Sequence, residues 1–164
     1  MKTLTLLRHA KSSWKHPELG DFDRPLNKRG RRDASAMGER LAQRESRPDR
    51  CLSSPAVRAS ATVAAVAEAL DYPVNAIAWE PRIYEAASTT LLGVLREQPD
   101  SAEHILLVGH NPGMTEFANA LTGDRLDNLP TAAAYTLTLP IEHWRDAAFG
   151  PGTRIAYEYP KDGD

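Results

Sequence analysis

The sequence predicts an α/β fold, a three-layer α/β/α sandwich around a mostly parallel central sheet. Two observations carry this expectation. Apolar, strand-like runs alternate with stretches of helical spacing through most of the chain, which is the signature of βα units and a parallel sheet. The first such run, Leu4-Thr5-Leu6-Leu7, reads as a buried strand, and His104-Ile105-Leu106-Leu107-Val108 is the most strand-like stretch of all. A third feature bears on function. Polar residues cluster directly after these runs, where open α/β sheets bind their ligands.

Length and composition set the bounds. A chain of 164 residues is expected to form one domain with a sizeable core. Its 41% hydrophobic and 26% charged residues are those of an ordinary soluble globular protein. A net charge of −2 gives no reason to expect nucleic acid or an acidic membrane surface as partner. Cys51 is the single cysteine, which excludes an intrachain disulfide and a thiolate metal cluster. No apolar run is long enough to span a bilayer, and Met1-Lys2-Thr3 leads into the first strand without a cleavable signal pattern. A cytoplasmic location is therefore expected.

The elements follow in order. Residues 3–8 form strand one, and residues 13–25 a loop rich in Trp14, Pro17, Gly20 and Pro25. Asn27 is placed to cap a helix over 28–44, whose buried stripe is Ala34, Met37, Gly38 and Leu41. Residues 50–53 make a short strand. Ser54 as N-cap and Pro55 at the first helical position should open helix two, with Ala59, Val63, Val66 and Leu70 inward. Residues 74–79 read as strand three between Pro73 and Pro81. Ser88 is expected to cap a helix carrying Leu91, Leu92 and Leu95. The strand at 104–108 stops at the turn cluster Gly109-His110-Asn111-Pro112-Gly113, and a helix over 114–121 follows. Alternation at 133–139 predicts a strand, 141–144 a short helical turn and 153–159 an edge strand. The tail 160–164 is polar and expected to fray.

Parallel strands bring their carboxyl ends to one edge of the sheet. Arg8-His9, Ser53-Ser54 with Arg58, Glu85, and Gly109-His110 each follow a predicted strand, so they should meet in one pocket. Arginine presents a planar fork of donors that matches phosphate oxygens, and Arg58 falls on the first turn of a helix whose free N–H groups also favour anions. A neutral imidazole beside them can serve as base or nucleophile. The chain lacks a Gly-x-x-x-x-Gly-Lys loop, so a nucleotide P-loop is excluded. Two arginines would repel a divalent cation, and there is no His-x-x-x-His helix, so no metal is expected.

With these residues in place, the chain resembles the histidine phosphatase superfamily, with its phosphoglycerate mutase-like fold, and within it the SixA-type phosphohistidine phosphatases. The resemblance rests on Leu-Leu-Arg-His-Ala-Lys-Ser (6–12), Asp-x-x-Arg-Pro-Leu-Asn-x-x-Gly (21–30), Ser-Ser-Pro-x-x-Arg-Ala (53–59) and Val-Gly-His-Asn-Pro-Gly (108–113). Each motif is weak alone; together and in order they are specific. Ala10 departs from the glycine of many superfamily members, though alanine is frequent in the SixA-type branch. The resemblance implies a single histidine phosphatase domain over 1–164. It implies His9 as the nucleophile that takes the phosphoryl group, with Arg8, Arg58 and His110 as the phosphate pocket. It further implies a phosphatase without cofactor that acts on phosphohistidine of a protein in signal transduction, or alternatively on a small phosphate ester.

Other positions carry two readings. Glu85 lies near where larger members place a proton donor, but is equally a loop carboxylate. Ser12 is a weak phosphate-binding candidate and more simply a turn serine. Asp21 and Arg24 form a loop-fixing pair rather than catalytic groups. His16, His104 and His143 are assigned to the surface or to strand edges, and Trp14, Trp79 and Trp144 to packing. A non-catalytic phosphate-binding module would not need the nucleophile. A mutase would need a lid to keep water from the intermediate, and the 52 positions between Arg58 and His110 leave no room for one.

Overall fold

The structure is a computed structural model and describes residues 1–160; most of the expected frayed tail lies outside the described residues. Six strands form one sheet: β1 (Lys2–Arg8), β2 (Arg50–Ser53), β3 (Ala78–Trp79), β4 (His104–Gly109), β5 (Ala134–Leu139) and β6 (Thr153–Glu158). Their order is β3-β2-β4-β1-β5-β6. The pairs among β3, β2, β4 and β1 are parallel, whereas β5 and β6 add antiparallel strands beside β1. The helices are α1 (Lys28–Ala42), α2 (Val57–Ala69), α3 (Ser88–Arg96) and α4 (Gly113–Thr122).

Period-two alternation sends side chains to two cores. Leu4, Leu6, Ile105 and Leu107 pack with Leu91 and Leu95 of α3 and Met114, Phe117 and Leu121 of α4. Leu7, Leu106 and Val108 pack with Met37 and Leu41 of α1 and Val63 and Val66 of α2. The expected three layers result, with both faces of the central strands covered. Gly38 lets α1 and α2 approach closely, since a Cβ there would sit 2.9 Å from the Ala69 Cβ.

Several expectations are corrected. Helix two starts at Val57, not at Pro55, with Ala56 as an N-cap without a side-chain bond. The Ser54 N–H extends the ladder by donating to Val108 O, which keeps Ser54 extended at the sheet edge. Residues 74–76 form a 3-10 turn, and only Ala78–Trp79 pair with β2. Pro73 is held at φ −61°, and Ala76 N donates back to its carbonyl, so the run begins as a turn. Ser88 is the first residue of α3, and Ala87 is the cap. The short turn expected at 141–144 is a 3-10 turn at Trp144–Asp146. His104 is buried, not at a surface edge, and bonds Thr5 Oγ1 at 2.8 Å and Ser46 Oγ at 3.0 Å. Trp144 is buried as expected, but Trp14 and Trp79 are exposed. Trp79 ends a two-residue edge strand, and the Arg24 guanidinium lies 3.9 Å from the Trp14 ring.

Candidate active site

Sheet register builds the site. Arg8 pairs with Gly109, and Ser53 with Val108, so the three strands β1, β4 and β2 end side by side. The ladder runs one residue further: His9 N donates to Gly109 O and Ser54 N to Val108 O, each at 3.1 Å. His9, His110 and Ser54 thereby emerge at the same edge. Arg58 reaches them from the first turn of α2. A cleft of about 420 Å³ is lined by Arg8, His9, Ser12, Arg58, Glu85 and His110, among others. The sequence expectation that these residues converge is met in geometry.

The loop after β1 is fixed from two sides. Asn27 caps α1 by accepting from Gly30 N at 2.8 Å, and its own N–H donates to Lys11 O. Ser12 bridges to Leu26, and Ser13 N donates to Pro25 O. Thr62 of α2 accepts from Ala10 N at 3.0 Å while donating to Arg58 O at 2.8 Å, which ties the loop to the helix that carries Arg58.

His9 is buried, and its Nδ1 lies 2.7 Å from the Ala10 carbonyl. A carbonyl only accepts, so Nδ1 carries the proton and Nε2 the lone pair. Burial above all, with His110, Arg58 and Arg8 adding charge repulsion, lowers the His9 pKa to about 3. The imidazole is therefore neutral at ordinary pH. His110 is lowered to about 4, again chiefly by burial and then by Arg58. Its Nε2 is 2.8 Å from Ser54 Oγ, and its ring centroid lies 5.2 Å from that of His9.

Arg8 donates through Nη1 to Leu129 O at 2.9 Å. Its Nε and the Nδ1 of His110 are buried without a hydrogen-bond partner among the described residues. A buried polar atom without a partner is costly. Arg58 donates through Nε to His9 Nε2 at 3.3 Å and through Nη1 and Nη2 to Asp21. Among the described residues, no group of three or more His, Cys, Asp or Glu is arranged to hold a metal ion.

The weaker candidates separate. Glu85 lines the cleft, exposed and with a left-handed backbone at φ 56°. Ser12 lines it too, but its hydroxyl accepts from Arg24 Nη1. Asp21 and Arg24 form the expected pair at 3.1 Å. Sequence reasoning missed how far that pair reaches into the site, because Asp21 also takes Arg58 and Tyr84. It also missed Asn111, Lys11 and the exposed Trp14 at the cleft. The Asp-x-x-Arg spacing is a signal for Asp21; Tyr84 has none.

Comparison with known proteins agrees with this geometry. A family model described as the histidine phosphatase superfamily (branch 1) matches residues 4–87. An uncharacterised chloroplast protein of Arabidopsis thaliana is 33% identical, over 92% of this chain and 73% of its own. An uncharacterised protein of Mycobacterium tuberculosis is 30% identical, over 94% of this chain and all of its own. The chain belongs to the histidine phosphatase superfamily. Within the superfamily its likeness is to the SixA type. A protein from Agrobacterium tumefaciens, proposed to be the phosphohistidine phosphatase SixA, has a similar structure, with a TM-score of 0.80 and 31% identity over 97% of this chain and 98% of that one. A protein histidine phosphatase SixA solved with tungstate shares the fold, with a TM-score of 0.76 and 20% identity over 96% of both chains.

Proposed function

We propose that the protein is a metal-independent phosphatase that works through a phosphohistidine on His9, and that its substrate is phosphohistidine carried by another protein. The observation that carries the reading is the bond from His9 Nδ1 to the Ala10 carbonyl, which leaves the Nε2 lone pair as the nucleophile between two arginines. Nε2 attacks phosphorus in line with the leaving group, forming a P–N bond as the bond to the leaving atom breaks. Arg8, Arg58 and His110 donate to the equatorial oxygens, where transition-state charge accumulates. The departing imidazole takes a proton from solvent. Water then attacks phosphorus, the P–N bond to His9 breaks, and inorganic phosphate leaves with a proton released to solvent.

The cleft opens at the strand ends, as a phosphorylated protein surface requires, and the segment between Arg58 and His110 is consumed by α2, β3, α3, β4 and their connecting turns. An imidazole leaving group demands less of a general acid than an alkoxide, for which such an acid is worth about a hundredfold or more. Glu85 makes no side-chain hydrogen bond among the described residues, and this fits the lesser demand. One observation favours a second reading, a small phosphate ester: Glu85 does line the cleft, where it would be within the site to protonate an alkoxide. A cytoplasmic role in signal transduction follows from the first reading; among the described residues, no helix is long and apolar enough to cross a membrane.

The test is rapid acid-free quenching with a labelled phosphohistidine protein, followed by mapping of the phosphoenzyme, together with kcat/KM for that protein against sugar phosphates and other small esters. Label on His9 and preference for the protein are expected. Label on another residue refutes the nucleophile. A small ester turned over far faster, with that activity destroyed in Glu85→Gln, refutes the protein substrate.

A further inference from the structure

Arg58 is already occupied in this site. Three of the five N–H bonds of its guanidinium are used. Nη1 donates to the Asp21 carbonyl at 2.6 Å, and Nη2 to Asp21 Oδ2 at 2.9 Å. Nε donates to His9 Nε2 at 3.3 Å. That last contact lies on the one lone pair that His9 has to offer, since Nδ1 is protonated toward Ala10 O. An imidazole nitrogen cannot accept from Arg58 and bond to phosphorus with the same lone pair. Arg58 therefore has to release His9 when a substrate enters, and Asp21 still holds one hydrogen of each terminal nitrogen against the incoming phosphoryl oxygens.

Asp21 is not a loose loop carboxylate. The Tyr84 hydroxyl donates to its Oδ2 at 2.7 Å, and Arg24 Nη2 to its Oδ1 at 3.1 Å. Arg24 is in turn braced by the Trp14 ring and the Ser12 hydroxyl. The backbone joins in, because Arg58 also holds the Asp21 carbonyl, at the start of the 3-10 turn Asp21–Asp23. A negative charge is thus fixed beside Arg58 on the wall of a cleft that also presents Arg8, Arg24, Lys11 and the Glu85 carboxylate. The Tyr84 hydrogen bond, followed by Arg58 and Arg24, keeps that carboxyl well below the usual carboxylate range, so it stays ionised.

We propose that Asp21 is a specificity-determining residue: its carboxylate competes with a bound phosphoryl group for Arg58 and thereby keeps the hold on inorganic phosphate weak. The inference rests on the phosphatase reading above. The partly buried Arg8, the buried Arg58 and a histidine would otherwise retain the dianionic product. Asp21 opposes this by offering Arg58 an alternative partner as phosphate leaves. Substrates that bring binding contacts beyond the phosphoryl group overcome this competition, whereas free phosphate has none to bring.

The alternative role for Asp21 is purely structural, as the brace that aims Arg58. The two roles predict opposite signs. The experiment measures binding of inorganic phosphate by ³¹P NMR titration and its inhibition constant against turnover, in the wild type, Asp21→Asn, Asp21→Ala and each combined with Arg58→Ala. Competition predicts about tenfold tighter phosphate in both Asp21 variants, from release of the Arg58 donor that the carboxylate holds. It also predicts that this gain vanishes when Arg58→Ala is present, as a double-mutant cycle reads directly. Asp21 is half exposed but pairs with the buried Arg58, so circular dichroism and urea unfolding establish that each variant is folded before binding is compared. Phosphate that binds the wild type but binds Asp21→Asn equally or more weakly overturns the inference and leaves the phosphatase reading intact. A gain that persists without Arg58 overturns it as well, since the effect would then be general electrostatics. Failure of every variant and of the wild type to bind phosphate overturns the phosphatase reading and this inference with it.

Discussion

Gly30→Ala is expected to damage this protein although alanine is the better helix former. Gly30 lies in the first turn of α1, where alanine would stabilise the helix by about 1 kcal/mol. The surroundings reverse the sign. An added Cβ would stand 2.1 Å from the Lys11 carbonyl oxygen and 3.0 Å from Lys11 C and N. Backbone atoms do not yield as a flexible side chain does, so the loop after β1 must retreat by about 1.3 Å to reach ordinary contact. That retreat strains the bond from Asn27 N to Lys11 O, now 3.0 Å. Overpacking of about 1–3 kcal/mol and a weakened hydrogen bond of about 1 kcal/mol outweigh the helix gain. The net loss is about 2 kcal/mol, or roughly 4–8 °C in Tm for a chain of this size. Activity should suffer more. Ala10, next to Lys11, supplies the carbonyl that fixes the His9 tautomer at 2.7 Å, and a displacement of about 1 Å at a reacting group costs about a hundredfold in rate. The assay is urea denaturation with steady-state kinetics, and Gly93→Ala in α3 is the control. A Cβ at Gly93 meets nothing within 4 Å, so that change should stabilise by up to about 1 kcal/mol. A Gly30→Ala protein as stable as the wild type with kcat within about twofold would refute the reasoning.

Three further outcomes are expected. His9→Ala should abolish turnover and leave urea unfolding of the protein largely unchanged, because the buried side chain lines the cleft and not an apolar core; residual full activity counts against His9 as nucleophile. Stability should fall as pH drops from about 6.5 toward 4. Burial holds His9 at about 3, and His104 and His110 at about 4, against an ordinary value of 6.5 for histidine. The unfolded chain thus binds protons that the folded one refuses, each group removing up to about 1.4 kcal/mol per pH unit within that window and nothing above it. A flat urea midpoint between pH 7 and 4.5 would contradict the buried neutral histidines. Glu85→Gln should lower kcat/KM on a phosphohistidine protein by less than about threefold, since imidazole leaves without strong acid assistance; a hundredfold loss there would make Glu85 the general acid after all.

Most of the frame and the four central side chains were legible because they depend on local rules. Leu4, Leu6 and Leu7 announce a buried strand, Asn27 a cap, and parallel strands end at one edge, so Arg8, His9, Arg58 and His110 meet. What escaped depends on tertiary partners. Ser54 falls at the pocket edge in the sequence but reads as a helix cap; the ladder bond to Val108 and the hydroxyl contact to His110 instead hold it extended there. His104 reads as an edge residue because nothing local reveals that Thr5, Thr136 and Ser46 supply a buried hydrogen-bond chain. Residues 74–76 read as strand by hydrophobicity, yet Ala76 N and Ile77 N turn back to the Pro73 and Val74 carbonyls, so only Ala78 and Trp79 pair with β2. Asp21 was recognised as the partner of Arg24, and its reach to Arg58, 37 positions along the chain, could not be read from spacing.

The division between strand ends and the 13–25 loop has a consequence for how such a protein diverges. The groups assigned to chemistry hang from β1, β4 and the start of α2, all fixed by backbone bonds in the middle of the molecule. Trp14, Asp21 and Arg24, which face whatever approaches, belong to a surface segment anchored at both ends by the pairing of residues 12–13 with 25–26. Surface segments tolerate insertion and replacement far better than strands do. Exchanging this one segment between relatives, with the Asp21 contacts to Arg58 kept, would transplant preference while the strand-end groups stay in place, so such swaps across 14–24 are the natural starting point for giving the same scaffold new clients.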